Sequence, residues 1–353
     1  MDLMDCKLNN EEAFFSVQGR SSLPFQWFVG PRGVGKTYSA LALCLGIPIP
    51  KNSDVEKYHK SDKKFIYLRY SEADLEKCAG AVGNPFKKLN TDYDRNISLE
   101  YNKKKGYAEI MEQTESGETI IGYGMALTVF AGLRGIDLSD VDIVVFDEAI
   151  LELHKAKRKH MGDALLNLYE TINRNRELFG EPPLFMLFMA NSITMDSELL
   201  AATEAVPLMQ QMFNTGHTRA SDREKGIYVE FALAKVSEMK RNTALYRLKK
   251  GSDFAAHAID NAFTNDKINL VKKVQLMEYV PKVRFCDVYI YEHKSKPLLY
   301  ACKVKASCKD EYEKSDKDAF KFNYRLRYMM AVNLGVIGFD SYETKLFIDA
   351  AIA

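Results

Sequence analysis

Gly30-Pro31-Arg32-Gly33-Val34-Gly35-Lys36-Thr37 fills every fixed position of the pattern G-x-x-x-x-G-K-[ST]. Glycines at this spacing let successive backbone N–H groups turn inward around a β-phosphate. Lys36 then reaches the β- and γ-phosphates, and the Thr37 hydroxyl is placed to bind Mg²⁺. The expected ligands are ATP and Mg²⁺. A second acidic motif follows at Ile143-Val144-Val145-Phe146-Asp147-Glu148, an apolar run that ends in two carboxylates. Asp147 is expected to hold Mg²⁺ through its water shell, and Glu148 to orient and deprotonate an attacking water. The adjacent glutamate favours hydrolysis over phosphoryl transfer to a small molecule. Asn191 ends another apolar run, Leu184 to Met189, where an amide can sense the γ-phosphate or simply cap a turn. Arg174 and Arg176 close a predicted helix. They either complement its C-terminal dipole or present an arginine finger to a neighbouring subunit's ATP, worth about 10³–10⁵ in rate. Arg32, inside the glycine-rich loop, is a third cation able to act within its own subunit.

These groups need elements that hold them. Phe25 to Val29 is a short apolar run before the glycines, and Thr37 to Leu45 after them reads as a helix rich in Ala and Leu. Phe65 to Leu68, Asp142 to Phe146 and Leu184 to Met189 read as buried strands. Ser71 to Cys78 reads as a helix capped by Ser71 with Asp74 three residues on. Met161 to Asn173 carries Leu165, Leu168, Tyr169 and Ile172 at helical spacing. Strands that alternate with helices predict a mainly parallel α/β sheet. Ile97 to Tyr101, Tyr107 to Met111 and Thr119 to Tyr123 read instead as an antiparallel insertion at the sheet edge.

Later segments differ. Residues 216–265 are polar and helix-prone, and contain Arg219, Arg223, Lys240, Arg241, Arg247, Lys249 and Lys250. Lys282 to Lys305 reads as two strands (V-R-F-C-D-V-Y-I-Y and L-L-Y-A-C-K-V) joined by a turn containing His293-Lys294-Ser295-Lys296-Pro297. Phe320 to Val332 reads as a helix. The expected domains are 1–215, 216–265 and 266–353. The first strand of the last domain offers Asp287, and the second offers no acid. Asp310, Glu311, Glu313, Asp316 and Asp318 alternate with lysines and read as a solvated loop. A two-metal nuclease, with ions about 3.5–4 Å apart, needs several inward acids, so nuclease activity is not expected.

Composition narrows the function classes. The chain has 353 residues and a net charge of +1, with 46% hydrophobic and 27% charged residues. That excludes a uniformly basic histone-like protein and a strongly acidic disordered chain. The total hides a split: 24 basic and 30 acidic residues up to position 215, but 25 basic and 18 acidic after it. The basic excess is either an ordinary basic domain surface or, if the chain handles DNA, a set of phosphate contacts made without sequence readout, with Lys294, Lys296, Lys303 and Lys305 among the candidates. The acidic start, Met1-Asp2-Leu3-Met4-Asp5, does not read as a signal peptide. No apolar run reaches membrane-spanning length, so no membrane partner is expected. The six cysteines form no C-x-x-C pair, as in a reduced cytosolic protein.

In order and spacing, F-V-G-P-R-G-V-G-K-T, F-I-Y-L-R-Y, I-V-V-F-D-E-A-I, L-L-N-L-Y-E-T-I-N-R-N-R-E and M-A-N-S closely resemble the DNA-packaging ATPases of phi29-like tailed phages. The resemblance is strong over residues 25–195 and traceable through R-N-T-A-L-Y-R-L-K-K-G and A-I-D-N-A-F-T-N-D near 241–266. Beyond that it is faint. It implies an α/β P-loop NTPase of the additional-strand, catalytic-glutamate type, with a mainly parallel sheet and a helical linker. The implied C-terminal domain is a vestigial RNase H-like α+β fold that has lost its metal-binding acids and binds nucleic acid. The family function is ATP-driven translocation of double-stranded DNA through a portal into an empty capsid by a homomeric ring, usually a pentamer. Its catalytic glutamate falls on Glu148 and its trans-acting finger on Arg174. Some members need a packaging RNA. The implied location is the host cytoplasm, docked transiently on the prohead and absent from the mature virion. Another ring ATPase, such as a helicase or DNA-partitioning protein, and a nucleotide-switched binding protein are the competing readings of the same residues.

Overall fold

The computed structural model describes residues 14–51, 53–133, 136–151, 160–191, 197–215, 217–240, 242–248, 271, 274–333 and 336–352. Two compact units divide the chain, residues 1–263 and 264–353.

The first unit is organised by its most apolar stretches. β1 (Phe25–Val29) and β7 (Phe185–Ala190) are buried along almost their whole length, as expected of strands covered on both faces. They pair in parallel, Trp27 beside Phe188 in register, and the two rings stack with centroids 4.2 Å apart. The Trp27 indole N–H donates to Thr203 Oγ1 at 3.0 Å, so its polar atom is satisfied inside the core. β2 (Lys64–Arg69) and β6 (Val141–Asp147) complete the parallel centre. β7 lies between β1 and β6, so one strand separates the glycine-rich loop's strand from the strand bearing the acid pair.

β3 (Ile97–Asn102), β4 (Tyr107–Thr114) and β5 (Gly117–Ala126) form the expected antiparallel insertion at one edge. β5 joins β2 in parallel. Gly122 is needed there, because a Cβ would lie 2.7 Å from the Phe65 carbonyl oxygen. Helix α1 (Lys36–Cys44) follows β1, α2 (Met161–Asn173) lies between β6 and β7, and α3 (Ala205–Thr215) follows β7. Ser71 caps a short helix, Glu72–Glu76, by accepting from the Asp74 N–H, as its spacing predicts.

The stretch after 216 departs from the helix-prone expectation. β8 (Arg219–Asp222) and β9 (Ile227–Phe231) form a hairpin, and β9 extends the sheet in parallel beside β1. The polar character came from β8 and the Arg223-Glu224-Lys225-Gly226 turn. Ile227, Tyr228, Val229 and Phe231 are buried. Short helices, Lys235–Lys240 and Ala244–Leu248, follow. Arg241, Lys249, Lys250 and the segment A-I-D-N-A-F-T-N-D lie outside the described residues.

The second unit is a five-stranded mixed sheet in the order β13-β10-β11-β12-β14, with helices α4 (Lys317–Asn333) and α5 (Tyr342–Ile352). Its strands are β10 (Tyr279–Phe285), β11 (Val288–His293), β12 (Leu299–Cys302), β13 (Asp310–Tyr312) and β14 (Ile337–Phe339). Phe285 stacks on Phe320 at 4.5 Å in its core. The segment V-R-F-C-D-V-Y-I-Y is two strands, not one. Cys286, at φ 53°, turns the chain, so Asp287 sits in a tight turn. The acids expected in a loop are ordered: Asp310 and Glu311 belong to β13, and Glu313 and Asp316 form a reciprocal capping box before α4.

Trp27 is the chain's one tryptophan, so its fluorescence reports the first unit. Phe188→Ala leaves a cavity under that ring and is expected to cost the unit about 3–5 kcal/mol. The check is a lower urea midpoint for the Trp27 signal.

Candidate nucleotide hydrolysis site

The glycine-rich loop spans the end of β1 and the start of α1. Its path requires two glycines at positive φ, Gly33 at 66° and Gly35 at 109°. Gly30 is needed for close approach, because a Cβ would lie 2.6 Å from the Ala232 carbonyl oxygen just beyond β9. Lys36 is buried, and its ammonium donates to the Gly30 and Pro31 carbonyls at 2.7 Å each, which places the charge inside the loop. Val34 is buried, whereas Arg32 is exposed at the tip.

A strap unnoticed in the sequence braces this loop. The Phe15 N–H donates to the Val34 carbonyl at 2.7 Å, and the Val17 N–H to Ser39 Oγ at 3.1 Å. The Gln18 amide donates to the Ser39 and Ile47 carbonyls and accepts from the Ile49 N–H at 2.6 Å. Gln18 is therefore a structural tie. Phe15 is core, packed on Phe28 at 5.8 Å, and Phe25 packs on Tyr169 at 4.6 Å. Gly35→Ala would put a Cβ 2.8 Å from the Phe15 carbonyl oxygen at a φ that L-residues avoid. Strain of about 1–3 kcal/mol is expected to weaken ATP binding by about tenfold or more. Calorimetric titration checks it, with Gly46→Ala as control: that site also has positive φ, but nothing lies within 4 Å.

β6 brings the acids to the loop. Thr37 Oγ1 donates to Asp147 Oδ1 at 2.8 Å. Asp147 Oδ2 accepts from Tyr67 Oη and from Arg69 Nη1, both at 2.9 Å. The other Arg69 terminal nitrogen donates to Glu148 Oε2 at 2.8 Å. One guanidinium thus holds both acids. Parallel pairing explains it: Leu68 lies level with Phe146, so Arg69 comes level with Asp147 on the neighbouring strand. Burial opposes the charge of Arg69, but Tyr67, Asp147 and Glu148 around it hold its pKa above the ordinary value. Burial, then Asp147, push Tyr67 well above an ordinary phenol, so it stays a donor. Tyr67 and Arg69 lie in the run F-I-Y-L-R-Y, which by composition reads only as a strand. Their alternation, i and i+2 on one face, was the available signal.

Asn191 directly follows β7, whose Ala190 carbonyl accepts from the Gly30 N–H at 3.0 Å. It is therefore beside the start of the loop, half-buried. Thr37 and Asp147 supply hydroxyl and carboxylate oxygens 2.8 Å apart, a donor set that suits Mg²⁺.

Arg174 and Arg176 are elsewhere. Arg176 donates to the carbonyl of Val141, the first residue of β6, and to that of Ser139 at 3.3 Å. Asp147 ends the same strand, roughly 20 Å away at about 3.3 Å per residue. Arg174 caps α2 at φ 48° and lies 3.8 Å from Asp137, both side chains being more than half exposed. Neither arginine meets its own chain's acid pair.

The basic candidates of the second unit separate too. Lys294 and Lys296 are exposed in the turn before β12, whereas Lys303 and Lys305 follow the far end of that strand. Lys303 approaches Asp287 at 3.6 Å and Glu343 at 4.0 Å.

A family model described as podovirus DNA encapsidation protein (Gp16) matches residues 20–348. Among curated proteins, the DNA packaging protein of Bacillus phage B103 is 25% identical over 252 residues, covering 69% of this chain and 66% of that protein. That of Bacillus phage phi29 is 24% identical over 246 residues, covering 69% and 64%. The matched regions thus span slightly under two thirds of those relatives. Two solved structures share the fold at TM-score 0.59 and 17% identity. The bacteriophage phi29 viral genome packaging motor assembly is matched over 94% of this chain and 96% of that one, and the phi28 gp11 DNA packaging motor over 94% of each.

Proposed function

The chain belongs to the podovirus DNA encapsidation (Gp16) family, and from that premise we propose that it is an ATPase that drives double-stranded DNA through a portal into a preformed capsid. The observation that carries the reading is the 2.8 Å hydrogen bond from Thr37 to Asp147, with Glu148 next in the chain. It joins a phosphate-binding loop to a Mg²⁺-side acid and leaves a glutamate, 41% exposed, at the edge of the site. The strand between β1 and β6 supports the additional-strand, catalytic-glutamate type.

In this mechanism the loop amides and Lys36 bind the phosphates of ATP. Thr37 and Asp147 would hold Mg²⁺, which when bound neutralises phosphate charge. Tyr67 and Arg69 fix the Asp147 carboxylate. Arg69 also aims Glu148, which takes the proton of the attacking water. Asn191 is assigned to hold that water or contact the γ-phosphate. Arg32 is assigned to phosphates of its own subunit. Arg174 acts in trans on a neighbour's ATP, its distance from its own acids supporting that assignment over action in cis. Arg176, anchored to the carbonyls of Ser139 and Val141, serves as a brace.

We assign the subunits to a homomeric ring, with five as the family's number, docked on the prohead portal in the host cytoplasm and absent from the mature virion. A packaging RNA is a partner of some relatives. The domain at 266–353 is assigned to DNA phosphates through lysines such as Lys294 and Lys296, and to a nuclease-like ancestry without cleavage. Asp310 accepts from Tyr324 at 2.6 Å and Asp349 from Tyr328 at 2.6 Å, which supports structural work for these acids.

The expected result is ATP hydrolysis stimulated by double-stranded DNA, and ATP-dependent packaging into purified proheads. Negligible hydrolysis with or without DNA, and no packaging, would overturn the motor reading in favour of a nucleotide switch. DNA-stimulated hydrolysis without packaging would point to a helicase or partitioning ATPase.

A further inference from the structure

Two exposed apolar side chains border the phosphate loop where it meets the strap and the end of β9. Phe14 is 40% and Leu233 50% exposed. A Cβ on Gly35 would lie 3.2 Å from the Phe14 Cβ, so Phe14 stands against the loop's last glycine. Leu233 directly follows Ala232, whose carbonyl crowds the loop's first glycine, Gly30. The Leu233 N–H donates to the Phe231 carbonyl at 2.9 Å, a tight turn that ends β9 beside the loop. Strap and β9 share one floor: Phe15 and Tyr228 both pack on Phe28, with ring centroids at 5.8 and 6.1 Å. Arg20 fixes that floor, its guanidinium 4.7 Å over the Phe15 ring and 3.3 Å from Glu230.

We propose that Phe14 and Leu233 clamp the purine base of the bound nucleotide, the Phe14 ring stacking on its face. The proposal rests on the ATP-site reading above. Sheet order gives the direction. Thr37 meets Asp147 on the β6 side of the loop, so the Mg²⁺ and γ-phosphate end of the triphosphate points towards β6. β9 lies on the other side of β1, away from β7 and β6. A triphosphate extended along the loop with its γ end towards β6 leaves on the β9 side, and its nucleoside meets Phe14 and Leu233 there. The chemistry of the two side chains fits a base. A purine has two broad π faces, and an aromatic ring stacks on either whatever groups the edge carries. The strap's nearby polar side chains are turned to other work. Gln18 spends both amide hydrogens on the Ser39 and Ile47 carbonyls, and Ser16 Oγ donates to the Ile49 carbonyl at 2.5 Å. The clamp therefore takes the base by its face, and Gln18 is not its reader.

The experiment compares the affinities of ATP and of inorganic tripolyphosphate, which has the phosphates and no base, by calorimetric titration of the full chain. Phe14→Ala is expected to weaken ATP about five- to hundredfold, the range for losing one stacked base, and to leave tripolyphosphate unchanged. Leu233→Ser is expected to weaken ATP about three- to tenfold, again with tripolyphosphate unchanged. Phe14→Tyr, which keeps the ring face, is expected to bind ATP as the wild type does. Unchanged ATP affinity in Phe14→Ala overturns the clamp. So does an equal loss for ATP and tripolyphosphate, which would make Phe14 a support of the loop rather than a contact of the base. Lys36→Ala is the control for the site itself and is expected to weaken both ligands. If it moves neither, the phosphate-loop reading falls and the clamp falls with it.

Discussion

Arg174→Ala is expected to lower the ATPase kcat by about 10³–10⁵, the range for fingers that act on phosphoryl transition states, while leaving ATP affinity close to wild type. The side chain stands at the end of α2, and its only described ionic neighbour is Asp137 at 3.8 Å across open surface. Its removal therefore costs the fold little. The informative measurement is a mixture with Glu148→Gln subunits. Each Arg174→Ala subunit keeps an intact site, and a Glu148→Gln neighbour offers it the missing arginine. Activity should reappear in proportion to mixed interfaces. Rings demonstrably mixed yet inactive would return Arg174 to a structural role, and the separation along β6 would then need another explanation.

Glu148→Gln is expected to reduce hydrolysis by about 10²–10⁴, the usual contribution of a general base, with ATP binding retained. The isosteric amide still faces Arg69 but accepts no proton from water. Glu148 is at φ 53° and its carboxylate is bound on one oxygen by Arg69 at 2.8 Å, so backbone and side chain are both oriented. A variant that binds ATP and hydrolyses it at the wild-type rate would remove Glu148 from the chemistry. The same variant should support DNA binding without packaging.

Much of the site was legible because it depends on local rules. A phosphate loop needs glycines where φ is positive and a lysine at its end, and that requirement is written in consecutive residues. The apolar runs of β1, β6 and β7 were equally plain, since strands covered on both faces have few other compositions available. The amphipathic period of α2 located its bounds at Met161 and Asn173. Local composition misled where exposed and buried strands were adjacent: β8 and its charged turn masked β9, whose Ile227, Val229 and Phe231 extend the main sheet. It misled again at Cys286-Asp287, where one residue at positive φ turns a continuous-looking strand into a hairpin.

Strand adjacency depends on non-local pairing, and no motif encodes it. Arg69 lies 78 residues before Asp147. Only the parallel register of β2 beside β6 makes it the group that holds both acids. The strap at Phe15 to Gln18 acts on the loop through hydrogen bonds to Val34 and Ser39, across a stretch in which no spacing rule applies. The sequence by itself marked the loop and the acid pair as candidates, because each is written in a few consecutive residues, although their meeting, Thr37 on Asp147, spans 110 positions. Only the tertiary structure decided which cation faces the acids. It places Arg69 on them and sends Arg174 to the opposite end of the sheet, because a strand six steps long separates two residues that the motif order makes look like neighbours.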